Sequence, residues 1–201
     1  KHLLFWTFDS EPEAMPKVLK SAGGVKWDEA SDKGPITLKC TSENWHSALL
    51  QASGRGGFVM KVTVVRGRAI LAGISPPDMD ILAHNFHDFG HYIYTGSLLC
   101  YGEGGIGARA VGLPPRCLAL GEELHLRYVV KPRHELAVSL DGKTFTRVPA
   151  ELKHANYVPC VCLVGSDASV QIEKLGASQH DASEGRKLMQ DGLWQDRLFT
   201  D

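Results

Sequence analysis

The stretch Glu135-Leu-Ala-Val-Ser-Leu140-Asp141-Gly142-Lys143-Thr-Phe-Thr-Arg-Val148 sets two apolar and β-branched runs on either side of an Asp-Gly pair. Asp-Gly supplies the positive φ values that a type I′ turn requires, and that turn's twist matches the twist of the strands it joins. The stretch therefore reads as a β-hairpin. Just before it, the run from Leu124 to Val130 stops short of Pro132, which predicts a further hairpin into the run from His134 to Leu140. Outward from there the same grammar repeats, and between Ile36 and Ile172 helical periodicity is nearly absent. Phe58-Val-Met-Lys-Val-Thr-Val-Val65 alternates, Arg66-Gly67 interrupts it, and Arg68-Ala-Ile-Leu-Ala-Gly-Ile74 follows; two runs this close, joined at a glycine, predict a hairpin. The runs from Tyr157 to Val164 and from Ala168 to Lys174 are expected to pair across Gly165-Ser166-Asp167. Many short antiparallel strands without intervening helices place the chain in the all-β class, as a sandwich or barrel.

The two ends read differently from this middle. Ser10 followed by Glu11 and Pro12 predicts a short helix or irregular extension running to Lys20. After Leu175 the composition turns polar, and a tail is expected to pack through Leu193, Trp194 and Leu198. The expected organisation is an N-terminal extension over residues 1–24, a β-sandwich over 25–175 and a C-terminal tail over 176–201. The first residue is Lys1, and the chain is expected to be a piece of a longer protein.

With 201 residues, of which 43% are hydrophobic and 22% charged, the composition excludes long disorder, a collagen-like repeat and a coiled coil. The net charge of −1 lacks the basic excess with which phosphate-neutralising proteins bind nucleic acid. No apolar stretch approaches the roughly 18 residues of a membrane-crossing helix. Five cysteines cannot all pair, so reduced thiols and a cytoplasmic, intracellular location are expected. Cys160 and Cys162 fall on one face of an extended strand and read as buried thiols.

Several motifs invite a chemical reading. Gly102-Glu-Gly-Gly-Ile-Gly107 satisfies a dinucleotide fingerprint in form, but the two prolines at Pro114 and Pro115 argue against the long helix whose N-terminus would receive a pyrophosphate, so it reads as a surface loop. His84, His87 and His91 share a face only on a helix; with Gly90 among them they read as loop histidines, and a metal site is the alternative. Val164-Gly165-Ser166-Asp167 lacks the second glycine of a nucleophile elbow. No catalytic residue, metal or cofactor is assigned. Among the aromatics, Tyr92 and Tyr94 share a face read as core, whereas Trp45, in Ser42-Glu-Asn-Trp-His46, is the candidate for exposure.

The order of segments resembles the SPRY (B30.2-type) domain, a bent antiparallel two-sheet sandwich related to the concanavalin-like lectins. Trp27-Asp28 before Ile36-Thr-Leu-Lys39 is similar to the family's opening aromatic-Asp pair and short strand. Gly54-Arg-Gly-Gly-Phe58 stands at its glycine-marked turn, with Phe58-Val-Met-Lys61 where Tyr-Trp-Glu is usual, and Leu71-Ala-Gly-Ile-Ser75 stands at its small-residue strand. Tyr92-Ile-Tyr94, Gly96, Leu98-Leu-Cys-Tyr101, the Asp141-Gly142 turn, Tyr157-Val-Pro159 and Ala168-Ser-Val-Gln-Ile172 continue the likeness, which covers about residues 25–175.

The resemblance implies a non-catalytic module that binds a peptide or protein surface through loops at one rim, as the adaptor or targeting domain of a larger chain, ubiquitin ligase or scaffold. By position, that rim is expected to hold Gly54, Arg55 and Gly56, then Pro77, Asp78 and Met79 after Pro76, and Val164, Ser166 and Asp167, with Trp45 as an exposed aromatic. Arg55 would offer a bidentate fork, Asp78 and Asp167 would accept from amides or basic groups, and Met79 would give an adaptable apolar contact. The alternatives are a lectin-like sandwich binding a glycan or small ligand, using Asp78, Asp80, Asn85 and Trp45, and, third, a metal-dependent enzyme using His84, His87 and His91.

Overall fold

In the run that opens at Phe58, residues Phe58, Met60, Val62 and Val64 are buried while Lys61 and Thr63 between them are only partly so, as extended backbone requires when one face meets a core. The computed structural model describes residues 17–28, 34–51, 57–67, 69–82, 89–102, 108–130 and 134–175. Among them are fourteen strands and no helix. In chain order these are β1 (Val18–Ser21), β2 (Val25–Asp28), β3 (Ile36–Cys40), β4 (His46–Leu50), β5 (Gly57–Arg66), β6 (Ile70–Ser75) and β7 (His91–Tyr94). They continue as β8 (Leu99–Gly102), β9 (Arg109–Ala110), β10 (Glu123–Val129), β11 (Glu135–Ser139), β12 (Thr146–Arg147), β13 (Val158–Leu163) and β14 (Ser169–Leu175).

Two antiparallel sheets of seven strands result. The first runs β1-β4-β13-β6-β7-β8-β9 and the second β12-β11-β10-β5-β14-β3-β2. Their inner faces meet through Leu50, Ile70, Ile74, Ile93, Val161 and Leu163 on one side and Leu38, Met60, Val62, Leu124, Leu126 and Ile172 on the other, each 2% exposed or less. Each such Leu or Ile contributes about 1.5–3 kcal/mol when withdrawn from water. A second apolar cluster unites Leu49, Leu71, Met79, Tyr92, Cys160 and Cys162 on the outer face of the first sheet. β13 is thereby buried on both faces, which is why its sequence is an apolar run without alternation. Cys160 and Cys162 do share a face, with their sulfurs 3.9 Å apart, and burial pushes the Cys162 thiol up. Tyr92 and Tyr94 both belong to this outer cluster, Tyr92 fully buried and Tyr94 at its margin.

The expected hairpins divide into two kinds. β10 pairs with β11 from His125↔Ser139 to Val129↔Glu135, and β11 with β12 through Ala137↔Arg147 and Val138↔Thr146, as the sequence predicts. The turn between β11 and β12 is nevertheless not a two-residue type I′ turn: Gly142 alone of the pair has positive φ, at 68°, and the connection spans residues 140–145. Asp141 shapes it instead, its Oδ1 accepting from Ser139 Oγ at 2.7 Å and from the backbone N–H groups of Lys143 and Thr144 at 2.8 Å. These bonds, the one from Thr144 foremost, hold its carboxyl well below the usual range.

The other two hairpins are corrected. β5 and β6, joined at Gly67, lie in different sheets, and so do β13 and β14. β14 pairs with β5 and β3, and β13 pairs with β4 and β6. Both short links are corners of the sandwich. The helix expected up to Lys20 is also corrected where it is described: residues 18–21 form β1 at the edge of the first sheet, pairing Val18↔Leu50 and Ser21↔Ala48. The open ladder of β4 offers these residues backbone partners that a lone helical turn would not. Residues 15–175 make up one compact unit, and the tail over 176–201 lies outside the described residues.

Candidate functional site

Three sheet-to-sheet corners come together at one end of the sandwich. Leu163, the last residue of β13, is the register partner of His46 and of Ile70, and Ser169, the first of β14, is the partner of Lys39 and Arg66. The links β3–β4 (residues 41–45), β5–β6 (67–69) and β13–β14 (164–168) therefore share a rim. Backbone bonds knit them: Gly165 N–H donates to Ser42 O at 3.1 Å, Val164 N–H to Ala69 O at 3.3 Å, and Cys40 N–H to Ala168 O at 2.8 Å. A glycine is needed at position 67, where φ is 78° and a Cβ would come within 2.9 Å of the Ala168 backbone.

Side chains complete the rim. Ser166 N–H donates to Glu43 Oε1 at 3.2 Å, and hydrogen bonding from the Ser166 side chain and then its backbone lowers the Glu43 carboxyl below its ordinary range. Arg66 Nε lies 3.1 Å from Asp167 Oδ2 in a solvent-exposed pair. Such a pair orients its members more than it stabilises the fold. Trp45 is 39% exposed, Ser166 and Asp167 are exposed, and Val164 is half-buried. Of the residues expected from sequence, Trp45, Val164, Ser166 and Asp167 are thus brought together.

Pro77, Asp78 and Met79 are not among them. Ser75 is the partner of Val158 and Ile70 of Leu163, so the link after β6 leaves from the opposite end of the sheet, about 20 Å away for a six-residue strand. There Pro77 and Asp78 are exposed, and Lys20 Nζ approaches the Pro77 carbonyl at 3.5 Å. Met79 is corrected from a rim contact to a core residue. It is 4% exposed, and its sulfur accepts from Ser75 Oγ at 2.9 Å and from Tyr92 OH at 3.6 Å. Gly54, Arg55 and Gly56 lie outside the described residues, but Gly57, which follows them, pairs with Val129 at the end of β5 remote from Arg66.

His84, His87 and Asn85 also lie outside the described residues. His91 does not stand in a loop. It opens β7, buried, with its ring centroid 6.2 Å from that of Tyr157. Among the described residues no group of three His, Cys, Asp or Glu side chains is placed to hold a metal. Glu43 and Arg66 were missed by sequence reasoning. The polar run that flanks Trp45 and the basic residue that ends β5 are their only local signals, and their partners are 123 and 101 residues away in the chain.

Solved structures share this architecture. The chain is similar to the SPRY domain of human HERC1, with 14% identity, 77% of this chain and 99% of that chain covered, and a TM-score of 0.57. It is also similar to a human SPRY domain, with 13% identity, 77% and 96% covered, and a TM-score of 0.55. The likeness is one of fold, a SPRY-type, concanavalin-like sandwich. No protein-family model matches the sequence, and no curated protein does.

Proposed function

We propose that the domain is a non-catalytic protein-interaction module that binds a peptide or protein surface at the rim formed by Glu43, Trp45, Arg66, Val164, Ser166 and Asp167. The Ser166–Glu43 bond carries this reading, because it fastens the link that ends in the exposed Trp45 to the link after β13 and makes them one surface. Loops already held in place lose little conformational freedom on binding, and a partly exposed tryptophan beside polar groups is the composition in which binding energy concentrates. The role is that of an adaptor or targeting domain within a larger chain or complex, in the reducing interior of the cell.

Panning a random peptide library on the intact chain tests the proposal. Binders are expected to be lost with Trp45→Ala and weakened with Asp167→Ala, at unchanged melting temperature, and retained with Asp78→Ala at the opposite rim. Binders that survive Trp45→Ala and disappear with Asp78→Ala would move the site to the other end of the sandwich. Retention of a glycan in place of any peptide would make the domain lectin-like.

A further inference from the structure

The second sheet ends at β2, and among the described residues β2 pairs with β3 alone. Lys26, Trp27 and Asp28 are all exposed, so this edge is open. An open edge presents backbone donors and acceptors to any strand that fits, and charged side chains, lysine above all, commonly guard it against copies of itself. On β2 the guard is self-complementary, because Lys26 and Asp28, opposite in sign, stand on either side of Trp27.

The register decides which backbone groups face outward. Thr41 N–H donates to Gly24 O, and Cys40 N–H, on the other side of β3, donates to Ala168 O, both at 2.8 Å. Bonded pairs alternate along an antiparallel ladder, so Lys26 and Asp28 turn their backbone groups toward their partners Lys39 and Thr37 on β3. The N–H and C=O of Trp27 therefore point to the open side. Its ring shares the core-facing side of its register partner Leu38, which is fully buried, yet Trp27 is 39% exposed. On the outer face Asp28 accepts from Lys39 Nζ through Oδ2 at 2.7 Å and still leaves 67% of its side chain exposed.

We infer that β2 is a self-association edge, and that its occupant is β2 of a second copy of this chain, antiparallel about a two-fold axis at Trp27. Two independent requirements meet in that one register. An axis at Trp27 lets its N–H donate to the Trp27 C=O of the second copy while its own C=O accepts the reciprocal bond, as an isologous pair needs. The same axis sets Lys26 opposite Asp28 of the second copy, and Asp28 opposite Lys26, on the outer face, where opposite charges attract across a seam. At Lys26 or Asp28 the backbone groups are engaged with β3, and at Val25 the N–H donates to Ala22 O at 3.0 Å, so neither position offers both bonds. The two indole rings meet across the seam and cover apolar surface that a single copy leaves in water. With four residues to a strand the seam is short, and the association is weak and reversible.

Sedimentation velocity of the intact chain from about 1 μM to about 1 mM is the test. The sedimentation coefficient is expected to rise with concentration from monomer toward dimer. Lys26→Asp sets acid against acid at both pairs and Asp28→Lys sets base against base, so each should weaken dimerisation about tenfold or more at unchanged melting temperature. Mixing these two variants should restore it, because each finds its opposite charge only in the other. Trp27→Pro, which deletes the outward N–H and spares the bonds to β3, should leave only monomer. Trp45→Ala, at the rim, should change nothing. A monomer at every concentration, a dimer indifferent to Lys26→Asp, or no recovery on mixing would each overturn the inference. Loss of dimerisation with Trp45→Ala would assign self-association to the rim instead. A chain that stays monomeric but loses its panned peptides with Trp27→Pro would give the edge to a peptide partner.

Discussion

The backbone N–H of Ser166 donates to the carboxylate of Glu43 across 123 positions of sequence, joining two links that each cross from one sheet to the other. The bond ties the corner after β13 to the corner after β3 and so fixes the surface on which Trp45 stands. The Ser166 side chain and, after it, this backbone bond lower the Glu43 carboxyl below its ordinary range, so their contribution has a defined pH window. The contribution is fully present above the unfolded carboxyl value of about 4.3 and is lost as pH falls through the lower folded value. The Ser166 amide shift should therefore stay flat from neutral pH down to about 5 and titrate with a midpoint below the ordinary Glu value. Glu43→Gln should abolish that titration. A midpoint at or above the ordinary value would mean that the bond does not form in solution.

Gly142 and Gly121 both adopt positive φ, at 68° and 82°, yet a side chain at each would meet different surroundings. At Gly121 nothing lies within 4 Å, whereas at Gly142 a Cβ would stand 2.9–3.2 Å from the His125 ring. Gly121→Ala should cost about 1–2 kcal/mol, the strain of a left-handed alanine. Gly142→Ala should cost roughly 1 kcal/mol more, as the ring is displaced. Urea unfolding of the two variants measures the difference, and equal losses would show that His125 does not pack against the turn.

Phe58 is 2% exposed, its ring centroid 5.5 Å from that of Tyr128, while Leu140 is only partly buried and packs at the margin of the core. Phe58→Ala is expected to cost about 3–5 kcal/mol, and Leu140→Ala less than the full ~2–5 kcal/mol of a buried leucine. Denaturant midpoints at a common m-value check this ranking, and equal losses would place Leu140 as deep between the sheets as Phe58.

The all-β class, most of the strands and the faces they bury are legible in the sequence, because side-chain alternation is a local property of extended backbone. The runs 58–65 and 135–140 declare their buried faces by period alone. What each strand pairs with is not local. Gly67 and Gly165 look like hairpin turns, yet each marks a corner, since a link of a few residues can return a chain to its own sheet or carry it over to the other. The N-terminal strand was hidden for a related reason: residues 18–21 become a strand only because β4 presents an unpaired edge to them.

The candidate site divides along the same line. The sequence by itself determined the all-β class and a glycine-marked succession of links whose order resembles the SPRY domain, and it singled out Trp45, next to polar residues, as the candidate for exposure. Only the tertiary structure decided which links share an end. It gathered residues 41–45, 66, 67, 69 and 164–168 at one rim, placed Pro77 and Asp78 at the other and drew Met79 into the core. It also left β2 at the edge of the second sheet with the backbone groups of Trp27 turned outward, an arrangement that exists only through strand register. The physical reason is that alternation fixes where a side chain points, while backbone hydrogen bonds between distant strands fix what stands beside it.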